Sequence, residues 1–135
     1  MEIVIRLISV LSWITYAYLD GRIEAHYYDA LIWSNRKHKD IHWMSFVQRG
    51  IILIIIGVAT NSVSFPCALV LIISYIHNGF YYKERNKLDE SIYIEKFKAE
   101  STTSTALFEF KYNERLNMFI VGAVLTLYHI VIVSI

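Results

Sequence analysis

Between Gly50 and Ile76 the chain runs GIILIIIGVATNSVSFPCALVLIISYI without one charged residue. Near its middle stand Thr60, Asn61, Ser62 and Ser64, followed by Pro66, the only proline in the protein. Two apolar segments on either side of a short polar turn predict a helical hairpin. Ser64 is placed to act as N-cap, and Pro66 suits the first turn of the second helix, where a missing N–H breaks no intrahelical bond. A soluble fold of 135 residues has no interior large enough to hide such a hairpin. A bilayer does, and it accepts helices because their backbone groups are satisfied within the segment. The chain is therefore read as an integral membrane protein.

The length allows one domain, and the 56% hydrophobic and 15% aromatic content lies above the ordinary globular range. Four spans are expected, at about residues 3–20, 43–62, 66–82 and 116–135, forming a small all-α transmembrane bundle. The opening MEIVIRLISVLSWITYAYLDG begins with Glu2 and lacks a small-x-small cleavage site, so it reads as a retained helix and not a removed signal peptide. Arg6 lies near enough to its end to snorkel into the headgroups. That helix is expected to leave the apolar layer near Asp20 and to continue to Trp33, since GRIEAHYYDALIW holds no proline and only Gly21 opposes it. The second span includes Gln48 and Arg49. Either the bilayer begins near Gly50, or Arg49 sits within the protein and pairs with a carboxylate.

Residues 21–42 and 83–115 are expected to lie in water. The second of these holds fourteen of the twenty-five charged residues. Its Leu88, Ile92 and Phe97 make a weak apolar stripe suited to an interfacial helix, and STTST at 101–105 reads as a loop. Threading four spans puts both termini and the Asn61–Phe65 turn on one face and both charged segments on the other. Of thirteen Lys and Arg residues only Arg6 falls on the first face. Cationic residues beside short connections stay cytoplasmic, so both termini are expected outside the cytoplasm. Trp33, Trp43, Tyr81 and Tyr82 agree, gathering as a belt near the cytoplasmic interface. Abundant Ile, Tyr, Asn and Lys with one proline fits an AT-rich bacterial or phage genome, hence a multi-pass protein of the inner (cytoplasmic) membrane. Four short helices leave little interior, which favours assembly into a homo-oligomer.

The net charge of +1 offers no basic excess to neutralise phosphates, which excludes general nucleic-acid binding. The single Cys67 forms no internal disulfide and reads as a small packing residue. GxSxG, the P-loop, HExxH and GxGxxG are all missing. The richest polar set is DGRIEAHYYD. On a helix Asp20 and Glu24 share one face with Tyr16 and Tyr27, and Arg22, His26 and Asp29 share roughly the opposite one. The plain reading is a solvated helix end with internal ion pairs. The functional reading turns one face inward, where Asp20 and Glu24 meet Arg49 and His77, because ionisable groups inside a membrane bundle are costly. A divalent metal is the second candidate: His38 and His42 stand four apart, and topology brings Glu24, His26, His77 and Glu84 to the same side of the membrane. Three functions follow: a non-enzymatic component binding a partner or lipid headgroups through its cytoplasmic face, a membrane-interface, metal-dependent enzyme, and a small channel or transporter along Asp20, Glu24 and Arg49.

Overall fold

The computed structural model describes residues 1–34, 42–88 and 110–132, without the side chains of residues 29–34, 42 and 43. Those residues form four helices and no strand: α1 Glu2–Ser34, α2 His42–Ala59, α3 Ser64–Leu88 and α4 Tyr112–Val131. The first helix crosses Asp20 and Gly21 unbroken and ends one residue past the expected Trp33. Among the described residues three helical segments are long and apolar enough to cross a membrane: Glu2–Tyr28, Ser64–Leu88 and Tyr112–Val131. The apolar part of α2, Met44–Ala59, falls short of that length. The expected loop at 101–105 and the charged connections lie outside the described residues, apart from their helical ends.

The hairpin between α2 and α3 forms where the polar turn predicts it, but its cap differs. Asn61 takes a left-handed φ of 45°, a conformation that Asn tolerates better than most side chains. Ser62 N–H then donates to Gly57 O at 3.0 Å and Asn61 N–H to Val58 O at 3.2 Å, the paired bonds that close a helix C-terminus. The hydroxyl that caps α3 belongs to Ser62, whose Oγ accepts from Phe65 N–H at 3.2 Å. Ser64, expected in that role, is already the first residue of the helix. Pro66 sits in the first turn as expected.

The middle helix is α3, with α1 against one side and α4 against another. Trp13, Ala17, Ile56, Phe65, Leu69, Ile72, Ile73 and Ile76 make its apolar core. In lipid, apolar burial alone draws helices together weakly, and association rests on close packing and interhelical hydrogen bonds averaging about 0.6 kcal/mol each. Both occur here. Trp13 Nε1 donates to Leu69 O at 2.8 Å, tying α1 to α3. A Cβ at Gly21 would stand 2.5 Å from His77 O, and one at Gly122 would stand 2.8 Å from Ala68 O. Each flank of α3 therefore has a glycine crossing at which backbones nearly touch. On α1 this crossing belongs to a small-residue row, Ala17, Gly21 and Ala25, spaced four apart; both alanines are fully buried. On α2, Gly57 meets Pro66, whereas Gly50 faces open space. Outward surfaces are apolar, with Ile8, Leu11 and Ile23 on α1, Ile54, Ile55 and Val58 on α2, and Val124 and Leu127 on α4 all exposed. An apolar surface of that extent fits lipid contact.

Candidate functional site

The Gly21 crossing decides what α1 can reach. With no side chain at Gly21, α1 lies against the backbone of His77, and the flanking carboxylates Asp20 and Glu24 come within reach of the His77 ring. Asp20 Oδ2 is 3.5 Å from His77 Nε2, and Glu24 Oε2 is 3.3 Å from the same atom. From α2, Arg49 Nη2 donates to Asp20 Oδ2 at 2.6 Å and lies 3.9 Å from Glu24 Oε1. Three helices thus contribute to one cluster. The Glu24 side chain is 4% exposed and that of His77 9%, whereas Arg49 keeps 27%. The cluster is closed on the carboxylate side and accessible along the arginine.

Each of the buried groups is held from behind. Ser45 Oγ donates to Glu24 Oε1 at 2.9 Å, which leaves Oε2 turned toward His77. His77 Nδ1 lies 3.0 Å from Asn78 Oδ1. A carbonyl oxygen only accepts, so Nδ1 carries the hydrogen, and on a neutral ring the lone pair belongs to Nε2. That Nε2 is buried and makes no hydrogen bond. Asp20, Glu24 and His77 offer ligand atoms within 4.8 Å of one another. Metal–ligand bonds of about 2.0–2.2 Å separate tetrahedral ligand atoms by about 3.3–3.6 Å, which matches the two distances to Nε2. Ligand groups fixed by hydrogen bonds on their far sides are the usual support of such a centre.

Of the expected polar cluster, Asp20, Glu24, Arg49 and His77 do converge, and Arg49 pairs with a carboxylate inside the protein. The expected metal set is only partly assembled. Glu24 and His77 belong to it, Asp20 joins them, and His26 does not. His26 projects from another face of α1, where its Nε2 lies 3.3 Å from Glu84 Oε1. Arg22 joins the same carboxylate at 3.2 Å, and Lys87 reaches Oε2 at 3.2 Å. The physical reason is the helical turn itself, since residues two apart point to different sides. His38 and the side chain of His42 lie outside the described residues. Ser45 and Asn78 were not singled out from the sequence. A signal for Ser45 existed: it stands four before Arg49, the same spacing as Asp20 and Glu24 opposite.

The expectation for Arg6 also changes. It does not snorkel outward; its side chain is 2% exposed and pairs with Glu2. Its Nη1 donates to His129 O at 2.5 Å, one of the last carbonyls of α4, which lack partners within their own helix. No known protein family, curated protein or solved structure matches this chain.

Proposed function

We propose that this is a small integral membrane protein of four spans, with both termini outside the cytoplasm, that works through a divalent metal held by Asp20, Glu24 and His77. The observation that carries the reading is the buried Nε2 of His77. It faces two carboxylate oxygens at 3.3 and 3.5 Å and makes no hydrogen bond, while Nδ1 is held by Asn78. Charge supports it as well. Two carboxylates and an imidazole gather around one fixed cation, Arg49, a donor set that suits a bound cation in a low-dielectric bundle. One imidazole and two carboxylates suit a first-row divalent ion, with zinc the first to test. Three protein ligands leave a coordination position open, the pattern of metal centres that act on a bound molecule. Arg49 donates to Asp20 Oδ2 at 2.6 Å and is exposed enough to release it to a metal.

Metal analysis of the protein purified in detergent tests this directly. About one equivalent of zinc or a related ion is expected in the wild type, and none in Glu24→Gln or His77→Ala. His26→Ala is expected to keep the metal. A wild type that is metal-free and takes up no added zinc, manganese or iron at micromolar concentration would end the proposal.

A further inference from the structure

The metal centre uses one face of α1, and the face that carries Arg22 and His26 holds a second arrangement. Its fixed point is Glu84 of α3, with a side chain only 10% exposed. Glu84 Oε1 lies 3.2 Å from Arg22 Nη2 and 3.3 Å from His26 Nε2, and Oε2 lies 3.2 Å from Lys87 Nζ. The three partners are far more open, at 39%, 55% and 58%. Arg22 Nη1 also donates to Tyr18 OH at 2.8 Å. One hydrogen then remains on each terminal nitrogen of Arg22, and two remain on Lys87. A chain of ring contacts adds Lys83: its Nζ lies 5.9 Å over Phe80, Phe80 meets Tyr18 edge-on, and Arg22 stands over Tyr18. Among the described residues, three fixed cations here answer one enclosed carboxylate.

Beside these cations the surface turns apolar. Arg22 and His26 line a groove of about 330 Å³ together with Leu19 and Ile23, and both of those apolar side chains are exposed. By helical period the same face continues through Leu11 and Ile8, which are exposed as well. From Ile23 to Ile8 this track runs about 22 Å at 1.5 Å per residue, more than the roughly 15 Å that one leaflet's chains occupy in a 30 Å apolar layer. We infer that the groove seats an anionic phospholipid. Its phosphate meets the free hydrogens of Arg22 and Lys87, and one acyl chain lies along Ile23, Leu19 and Leu11. The excess of cations favours a headgroup of net negative charge over a zwitterionic one, whose amine would meet like charge. Glu84 holds Arg22, His26 and Lys87 together from behind. The apolar track distinguishes a lipid from free phosphate.

The test is native mass spectrometry of the delipidated full-length protein, supplied with equal amounts of phosphatidylglycerol, phosphatidylethanolamine and phosphatidylcholine of matched acyl chains. The glycerol lipid is expected to be retained several-fold over the other two. Arg22→Lys keeps the charge and a partner for Glu84 but loses the planar fork, and it should lose most of that preference. Glu84→Gln separates a built site from a diffuse cloud of charge. A cloud would hold the anionic lipid more tightly once the opposing carboxylate is gone, whereas a built site holds it less, because its cations are no longer gathered. Soluble glycerol phosphate at the same concentration should not displace the lipid. Equal retention of the three lipids by the wild type, an unaltered preference in Arg22→Lys, a rise in Glu84→Gln, or displacement by glycerol phosphate would overturn the assignment. None of these residues faces His77, so metal content should be unchanged in Arg22→Lys, and failure here leaves the metal reading standing.

Discussion

Arg6 and Arg49 are both drawn into the helix bundle, yet they meet different surroundings. Arg6 is met by one carboxylate and by a carbonyl at the C-terminal end of α4, where the helix dipole is itself negative. Its charge is balanced without help, and its side chain is almost fully enclosed. Arg49 faces two carboxylates and a histidine and stays more exposed. The first arginine closes a helix end and leaves a polar recess beside it. The second is a counter-ion shared between two carboxylates. An enclosed, balanced cation is a structural device; an accessible one shared between two carboxylates is exchangeable.

The sharpest way to break that contrast is Glu24→Ala. It removes the most enclosed carboxylate and leaves His77 facing an empty position, and losing one partner of a buried ionic group typically destabilises by about 3–5 kcal/mol. Thermal unfolding in detergent should show a large fall together with complete loss of metal. Next come the two glycine crossings. Gly21→Val and Gly122→Val each force a side chain into backbone, where overpacking destabilises by about 1–3 kcal/mol. Both should lower the melting temperature by similar amounts, but only Gly21→Val should empty the metal centre, because only that crossing carries Asp20 and Glu24 to His77. Equal metal content in the two variants would separate the site from the crossing that is held to build it.

Much of this arrangement could be read from residue spacing. Asp20 and Glu24 share a face by helical period alone, and Arg49 in an otherwise apolar segment asks for a carboxylate. The helical hairpin follows from an uncharged run interrupted by Thr60, Asn61 and Ser62. What spacing could not supply was rotation: which face of α1 meets α3. Ala17, Gly21 and Ala25 encode it, since small residues four apart mark the line of closest approach. Once that line is known, His26 is excluded from the cluster and falls to Glu84 instead. The role of Arg6 was hidden for another reason. Its partner is a backbone carbonyl of α4, a group that every residue carries and that no residue type announces.

Arg49→Gln probes the exchangeable member itself. Without its guanidinium, Asp20 and Glu24 repel each other with no fixed cation near, so the metal-free protein should be less stable. Metal should then bind more tightly, by about tenfold, a coupling of about 1.4 kcal/mol. Isothermal titration with zinc in detergent measures it, and the stabilisation by added zinc should be larger in the variant than in the wild type. An affinity that falls on losing Arg49 would mean that the arginine supports the ligands and does not compete with the ion.

The smallest effect on stability is expected at Ser45, and it separates a ligand-orienting hydrogen bond from a merely adhesive one. Ser45 Oγ donates to Glu24 Oε1, an interhelical contact of the class that averages about 0.6 kcal/mol within membranes. If the bond only joins α2 to α1, Ser45→Ala lowers stability by that amount and leaves metal affinity alone. If it holds Oε2 toward His77, the variant loses about tenfold or more in affinity, the usual penalty for removing a group that orients a metal ligand, while its metal-free melting temperature hardly moves. Ser45→Thr keeps the hydroxyl and should restore the affinity. The same pair at the other end, Ser62→Ala and Ser62→Thr, acts on the α3 cap and should change stability only, because nothing that faces His77 depends on it.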